Sequence, residues 1–112
     1  MSSNAKKTVK SESAAPAASG FPKRLEVVYK GRVQGVGFRF NVEQAALALK
    51  LVGWVRNENN GDVTLVAEGP ENSLQQLLED VRKSRVGRFV RKEQVRWEPF
   101  RKEFNDFKIE YV

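Results

Sequence analysis

The chain has 112 residues, which is the length of one typical domain. It contains neither cysteine nor histidine, so disulfides and thiolate nucleophiles are excluded, together with the side chain that most often serves as general base or metal ligand. The formal net charge of +6 permits nucleic acid, an anionic membrane or a phosphorylated small molecule as partner, or only a basic, solvated surface, and does not choose among them.

The first twenty residues (1–20) combine Ser, Ala, Lys and Pro without a hydrophobic period, which predicts a disordered N-terminal tail. They lack the apolar stretch of a secretory signal. No part of the chain approaches the about 18 continuous apolar residues that a membrane helix needs. We therefore expect one folded domain over residues 21–112, a cytoplasmic location and no membrane partner.

Hydrophobic spacing predicts the elements of this domain. Apolar residues alternate with polar ones in the strands and recur at i, i+3, i+4 and i+7 in the helices. The predicted order is a strand at 25–30, a glycine-rich loop at 31–37, a helix from 42 to near 51, strands at 53–57 and 63–67, a helix at 74–81, a basic loop at 84–89, and strands at 94–97 and 107–111.

The dipeptide Asn60-Gly61 lies between two predicted strands and indicates a hairpin with a two-residue type I′ turn, in which both central residues have positive φ. The whole order of strands and helices predicts an α+β protein, because two helices and one sheet of this size must pack as two layers around one core. The expected fold is the ferredoxin-like βαββαβ sandwich. It has a mostly antiparallel sheet, two helices on one face and an added C-terminal strand.

The glycine-rich loop is the most informative segment. It leads from a strand into a helix, where unpaired N–H groups and the positive end of the helix dipole favour phosphate. Arg39, just inside the helix, can add a planar fork of donors. The P-loop is excluded because Phe38-Arg39 follows Gly37 where Lys and Ser or Thr are needed, and the dinucleotide fingerprint fails at Phe40. A tight structural turn is the alternative interpretation.

The second informative segment is Gly53-Trp54-Val55-Arg56-Asn57, which ends the strand after the first helix. Its asparagine could equally be an ordinary turn residue. Taken together, however, the two segments resemble the acylphosphatase family. Residues 31–39 resemble its Gly-x-Val-Gln-Gly-Val-x-Phe-Arg motif, and residues 53–57 resemble its Gly-Trp-Val-x-Asn motif. The similarity covers about residues 24–112 and continues through 61–63, 67–69 and 107–111.

The resemblance implies hydrolysis of acyl phosphates, the mixed anhydrides of carboxylic and phosphoric acid, to carboxylate and inorganic phosphate. It implies that Arg39 binds the phosphate and that Asn57 orients the attacking water. Backbone N–H groups would form a phosphate cradle at Gln34, Gly35, Val36, Gly37 and Phe38. The resemblance implies no metal and no cofactor. We expect a monomer whose partner is a small-molecule acyl phosphate, with inorganic phosphate as product and inhibitor.

One segment departs from the family pattern. The family often has a turn rich in Gly and Pro after its second helix, whereas residues 84–91 contain no proline and three arginines, Arg85, Arg88 and Arg91. We interpret these arginines as a solvated basic face, with attraction of anionic substrate as the alternative. Asp62 and Glu68 are interpreted as solvated residues at strand ends rather than an acid/base pair.

Two other functions remain open from the sequence. RNA-recognition domains share the βαββαβ order, but they carry stacking aromatic residues on the third strand, and residues 62–68 contain none. Acylphosphatase-like domains also occur inside larger carbamoyl-transfer proteins that mature hydrogenases. The chain could therefore be a non-catalytic anion-binding module, although we expect an enzyme without nucleic-acid binding because both Arg39 and Asn57 are present.

Overall fold

The computed structural model describes residues 19–112. The predicted tail therefore lies outside the described residues, apart from Ser19 and Gly20. The elements in chain order are β1 (Pro22–Gly31), α1 (Phe38–Ala48), β2 (Val52–Asn57), β3 (Val63–Pro70), α2 (Glu71–Lys83), a 3₁₀ turn (Gly87–Phe89), β4 (Val90–Pro99) and β5 (Phe107–Glu110).

The five strands form one sheet in the order β4-β1-β3-β2-β5. Strand β1 runs antiparallel to both β3 and β4, and β2 runs antiparallel to β3. Only the pairing of β2 with β5 is parallel. The ferredoxin-like α+β fold, with its mostly antiparallel sheet and added C-terminal strand, is confirmed.

One hydrophobic core lies between the sheet and the two helices. Alternate residues of the strands point into it, such as Leu25, Val27 and Tyr29 of β1, and they meet one face of each helix. The helix residues in the core include Val42 of α1 and Leu77 of α2, both fully buried. Both helices therefore cover the same face of the sheet, as predicted. Within residues 19–112, neither helix is long and apolar enough to cross a membrane.

The first helix ends earlier than predicted, at Ala48 instead of near Leu51. Lys50 takes a left-handed conformation (φ 58°). This lets the N–H of Lys50 donate to Leu47 O and the N–H of Leu51 donate to Ala46 O, both at 3.0 Å. These two hydrogen bonds form a Schellman motif, which satisfies the last carbonyl groups of a helix. The motif is hard to predict here because a lysine occupies the position that is usually glycine.

The β2–β3 hairpin is confirmed, but its predicted two-residue type I′ turn is wrong. The connection runs over residues 58–62, and only Gly61, at φ 100°, has positive φ in it. The N–H of Gly61 donates to Glu58 O at 3.2 Å, and the N–H of Glu58 donates to Asp62 O at 2.8 Å. Asn60 instead accepts the Asp62 N–H on its side chain at 3.0 Å, and this local bond competes with the type I′ geometry.

Glu68 was expected to be a solvated residue, and the structure buries it almost completely, at 1% exposure. It lies on the sheet face opposite the helices, where the connection from β4 to β5 must cross from one edge of the sheet to the other. Its carboxylate accepts the backbone N–H of Arg101 at 2.8 Å and of Glu103 at 3.0 Å. The buried guanidinium of Arg24 lies 3.4 Å from the same carboxylate and 2.6 Å from that of Glu103. Glu68 therefore fastens the crossing connection to the sheet.

We expect the substitution Glu68→Ala to lower the free energy of unfolding by about 3–5 kcal/mol, because it removes one partner of a buried ion pair and strands two backbone donors. Urea denaturation at neutral pH measures the change. Glu26→Ala is the matched control, since it removes a carboxylate of the same sheet face that pairs with the exposed Arg96, and its cost should stay below about 1 kcal/mol. Equal losses for the two variants would contradict this account of Glu68.

Candidate active site

The sheet topology places the C-terminal ends of β1 and β2 at the same end of the sheet. Both strands run antiparallel to β3, which lies between them. Val63, the first residue of β3, pairs with Tyr29 of β1 on one side and with Asn57 of β2 on the other. Directly opposed residues of an antiparallel pair point to the same face of the sheet. Because Tyr29 and Val63 belong to the core under the helices, Asn57 lies on the helix side, towards the start of α1.

The loop from β1 to α1 presents free backbone N–H donors at this end of the sheet. Gly35 and Gly37 have φ values of 79° and 84°, a conformation that other residues rarely adopt. Gly37 precedes α1, whose N-terminus has no side-chain cap and no acidic residue in its first turn. Within residues 19–112, the N–H groups of residues 34–38 make no hydrogen bond of good geometry to a backbone carbonyl. They are therefore available to an anion, as in other glycine-rich loops at helix N-termini.

Two contacts fix this loop relative to the hairpin that follows Asn57. The side-chain amide of Gln34 donates to the carbonyl oxygens of Glu58 at 2.8 Å and Asp62 at 2.9 Å. At the other end of the loop, the ring of Phe38 packs edge-on against Tyr29, with 4.9 Å between the ring centroids. The loop is therefore held against both strand ends. Sequence reasoning assigned only the backbone of Gln34 and did not foresee the role of its side chain.

A shallow cavity of about 160 Å³ lies where these elements meet. Its lining residues come from the loop, the first turn of α1 and the ends of β2 and β5: Val33, Gly35, Gly37, Phe38, Arg39, Phe40, Asn57 and Ile109. The amide oxygen of Asn57 is buried and has no hydrogen-bond partner within residues 19–112. An unpaired buried acceptor costs stability, so the carboxamide of Asn57 has a hydrogen-bonding capacity that the described chain does not use.

Arg39 is half-buried and contributes the cavity's charge. Within residues 19–112 it makes no ion pair with a carboxylate, and its guanidinium carbon lies 5.1 Å from the centre of the Tyr111 ring. Such a cation–π contact orients the guanidinium while leaving its N–H groups free. Sequence reasoning missed Tyr111, because nothing in the local pattern connects the chain's penultimate residue to the start of α1.

The structure brings together most of the site residues predicted from the sequence. Arg39 and Asn57 line the same cavity, as do three of the five predicted cradle residues: Gly35, Gly37 and Phe38. Gln34 and Val36 are not among the lining residues. The side chain of Gln34 is directed to the hairpin, and Val36 packs against the core.

The two carboxylates of the hairpin that follows Asn57 have partners of their own. Glu58 has a lowered pKa because the Thr64 side chain and then Arg56 bond to it. The ammonium of Lys30 lowers the pKa of Asp62 and lies 2.7 Å from it. Among residues 19–112, no titratable group except Arg39 lines the cavity. In the described part of the chain, no three His, Cys, Asp or Glu residues are grouped so as to hold a metal ion.

Comparison with known proteins agrees with this geometry. The acylphosphatase family model matches residues 25–109. The acylphosphatase of Salinibacter ruber is 40% identical over 91 residues, which cover 81% of this chain and 96% of the relative. The acylphosphatase of Bacillus subtilis is 52% identical over a shorter stretch of 59 residues, covering 53% of this chain and 65% of that protein.

Solved structures are similar as well. A crystal structure of acylphosphatase from Bacillus subtilis has a TM-score of 0.73 and 39% identity, over 80% of this chain and 99% of that one. Full-length HypF in its phosphate- and nucleotide-bound form has a TM-score of 0.71 and 27% identity, over 80% of this chain but only 12% of that protein.

The family model spans most of the chain, and the Salinibacter relative is matched over nearly its whole length. The resemblance noted in the sequence is thereby confirmed, together with the assignment to an enzyme class. The chain belongs to the acylphosphatase family, whose members are hydrolases that act on the acid anhydride bond of acyl phosphates.

Proposed function

We propose that this chain hydrolyses acyl phosphates, with the phosphate bound by Arg39 and the N–H groups of residues 34–38 and with the attacking water oriented by Asn57. The observation that carries the proposal is that Asn57, whose buried amide oxygen has no hydrogen-bond partner within residues 19–112, lines the same cavity as Arg39 and the glycine loop. A carboxamide beside a cavity that otherwise offers donors and positive charge is suited to orient a water molecule next to a bound phosphate.

The division of labour follows from the chemistry of the substrate. Water attacks phosphorus, and the bond from phosphorus to the carboxyl oxygen breaks, so the leaving group is a carboxylate. Because a carboxylate leaves without protonation, little acid catalysis is needed, and positioning and charge stabilisation can supply most of the rate enhancement. Arg39 and the loop donors compensate the charge on the phosphoryl oxygens. They are held in place before substrate binds by Gln34 and Phe38.

The water must also lose a proton. In the part of the chain that the structure describes, no residue that could act as a general base lines the cavity, and Glu58 and Asp62 stay ionised through their own partners. A phosphoryl oxygen of the substrate is therefore the proposed proton acceptor.

The expected monomeric state, the cytoplasmic location and inhibition by inorganic phosphate stay predictions. The similarity to one part of HypF keeps a non-catalytic module as the second candidate, and turnover of benzoyl phosphate decides between the two.

Replacing Arg39 by Ala should lower kcat/KM for benzoyl phosphate by at least about 10²–10³-fold, because a preorganised charged donor is lost at the phosphoryl group. Arg39→Lys should restore little, since an ammonium offers no fork of donors. Arg32→Ala is the matched control, because it removes an exposed positive charge from the same loop. Similar losses for the Arg39 and Arg32 variants would point to a general charge effect and contradict the assignment.

Asn57→Ala should lower kcat for benzoyl phosphate by about 10²-fold and leave the inhibition constant of inorganic phosphate within about threefold, because water placement matters after the phosphate is bound. Asn59→Ala removes an exposed carboxamide from the adjacent hairpin and should change neither constant. If phosphate binding by the Asn57 variant falls as far as kcat does, the residue binds phosphate and does not orient water.

The value of kcat should be independent of pH between about pH 6 and about pH 9, since carboxyl groups titrate near about 4 and Lys and Tyr near about 10. The lowered pKa values of Glu58 and Asp62 keep both carboxylates ionised throughout this range. A pH–rate profile with saturating benzoyl phosphate tests this. A step in kcat within the range would reveal a protein base and exclude the substrate-assisted proton transfer.

A further inference from the structure

The arginines of residues 19–112 fall into two groups. One group pairs with carboxylates within 4 Å: Arg24, Arg56, Arg82, Arg96 and Arg101. The members of the other group make no ion pair with a carboxylate in this part of the chain: Arg32, Arg39, Arg85, Arg88 and Arg91. The unpaired group lies on the two segments that meet at the end of β1, where the N–H of Arg32 donates to Phe89 O at 3.1 Å. The arginines without an ion pair therefore lie on the glycine-rich loop, the start of α1 and the basic loop after α2.

Arg85 is the unpaired arginine of the basic loop that lies beside Gly37, one of the residues that line the cavity. A methyl group added to Gly37 would lie 3.0 Å from Nη2 of Arg85, and no other atom of the described chain outside residues 36–38 would come within 4 Å of it. Gly37 lines the cavity and precedes the first turn of α1. The guanidinium of Arg85 therefore lies over the positive end of the helix dipole, where a cation is unfavourable unless an anion is also present.

The backbone that carries Arg85 is firmly held. The neighbouring Val86 is fully buried in the core. The N–H of Ser84 donates to Val81 O at 3.2 Å, that of Gly87 to Ser84 O at 3.0 Å, and the Ser84 hydroxyl to Val81 O at 2.8 Å. The exposed side chain of Arg85 thus projects from a fixed backbone position beside the glycine-rich loop. Because this backbone is already ordered, binding a ligand through Arg85 costs little further conformational entropy of the main chain.

We infer that Arg85 forms a second anion subsite, so that the chain prefers acyl phosphates whose acyl group carries a further negative charge, such as the monophosphates of short dicarboxylic acids. This inference rests on the proposed function, because it takes Arg39 and the loop to hold the phosphate. The cavity has a different wall at Phe40, which is 61% exposed, and at Ile109. A neutral acyl group can lie against this apolar wall, so its binding should not depend on Arg85.

The test compares succinyl phosphate with butyryl phosphate, which has a methyl group where succinyl phosphate has a carboxylate. We expect the wild type to have the higher kcat/KM for succinyl phosphate. Arg85→Gln should lower that value about three- to tenfold and leave butyryl phosphate within about twofold, the range of a partly exposed charge-assisted contact. Arg88→Gln is the matched control, because it removes a positive charge from the same loop. The guanidinium carbon of Arg88 lies over the ring of Phe89, 4.9 Å from its centre. This variant should preserve the preference.

Three results would overturn the inference: no preference in the wild type, equal losses on both substrates in Arg85→Gln, or the same loss of preference in Arg88→Gln. The last two would indicate general attraction of anions by the basic loop. A binding measurement separates this outcome from failure of the proposed function. Calorimetric titration with 5-phosphonopentanoate and pentylphosphonate, which match the chain lengths of succinyl and butyryl phosphate, should show a preference for the carboxylated ligand that Arg85→Gln removes, whether or not acyl phosphates are turned over. Equal affinities in the wild type would refute the subsite.

Discussion

The site depends on two hydrogen bonds that the side-chain amide of Gln34 donates to the backbone carbonyl oxygens of Glu58 and Asp62. Strands β1 and β2 finish at the same end of the sheet, but β3 lies between them. The loop after β1 therefore has to reach across β3 to the hairpin after β2. Gln34 makes that connection by donating to Glu58 O and Asp62 O. The ion pair of Lys30 with Asp62 joins the same two segments. Both strands pair with β3, but the glycine-rich loop lies beyond that pairing, so these ties fix the loop relative to Asn57. In an active site, a displacement of about 1 Å can cost roughly 10²-fold in rate.

A second constraint acts from the opposite face of the sheet. The chain must cross that face to place β5 beside β2, and Glu68 holds the crossing segment through the N–H groups of Arg101 and Glu103. Strand β5 then supplies Ile109 to the cavity and leads to Tyr111, whose ring lies against the Arg39 guanidinium. A buried ionic network far from the cavity therefore helps to orient the charge that the cavity presents. Buried ion pairs add little net stability, so positioning is the better account of this one.

The sequence predicted those parts of the molecule whose signals are local. Hydrophobic spacing gave the order of strands and helices, and the glycine loop with Arg39 was recognisable because its residues are consecutive. Glu68 was misread because alternation marks every polar strand residue as solvated unless another segment covers it, and only the tertiary structure places 100–106 across that face. Strand β4 extends over Val90–Pro99, beyond the predicted 94–97, because an edge strand exposed along most of its length has no clear alternation.

The distribution of charge explains how a chain with 14 acidic residues keeps its site positive. The acidic residues of the hairpin beside the site, Glu58 and Asp62, are paired with Arg56 and Lys30, which reduces their effect on the field of Arg39. The first turn of α1 contains no acidic residue, although one there would stabilise the helix. The fold thus forgoes a favourable helix cap and leaves an amide oxygen of Asn57 without a partner. In the proposed function, the phosphate would supply acceptors for the loop N–H groups and the attacking water would bond to the Asn57 carboxamide.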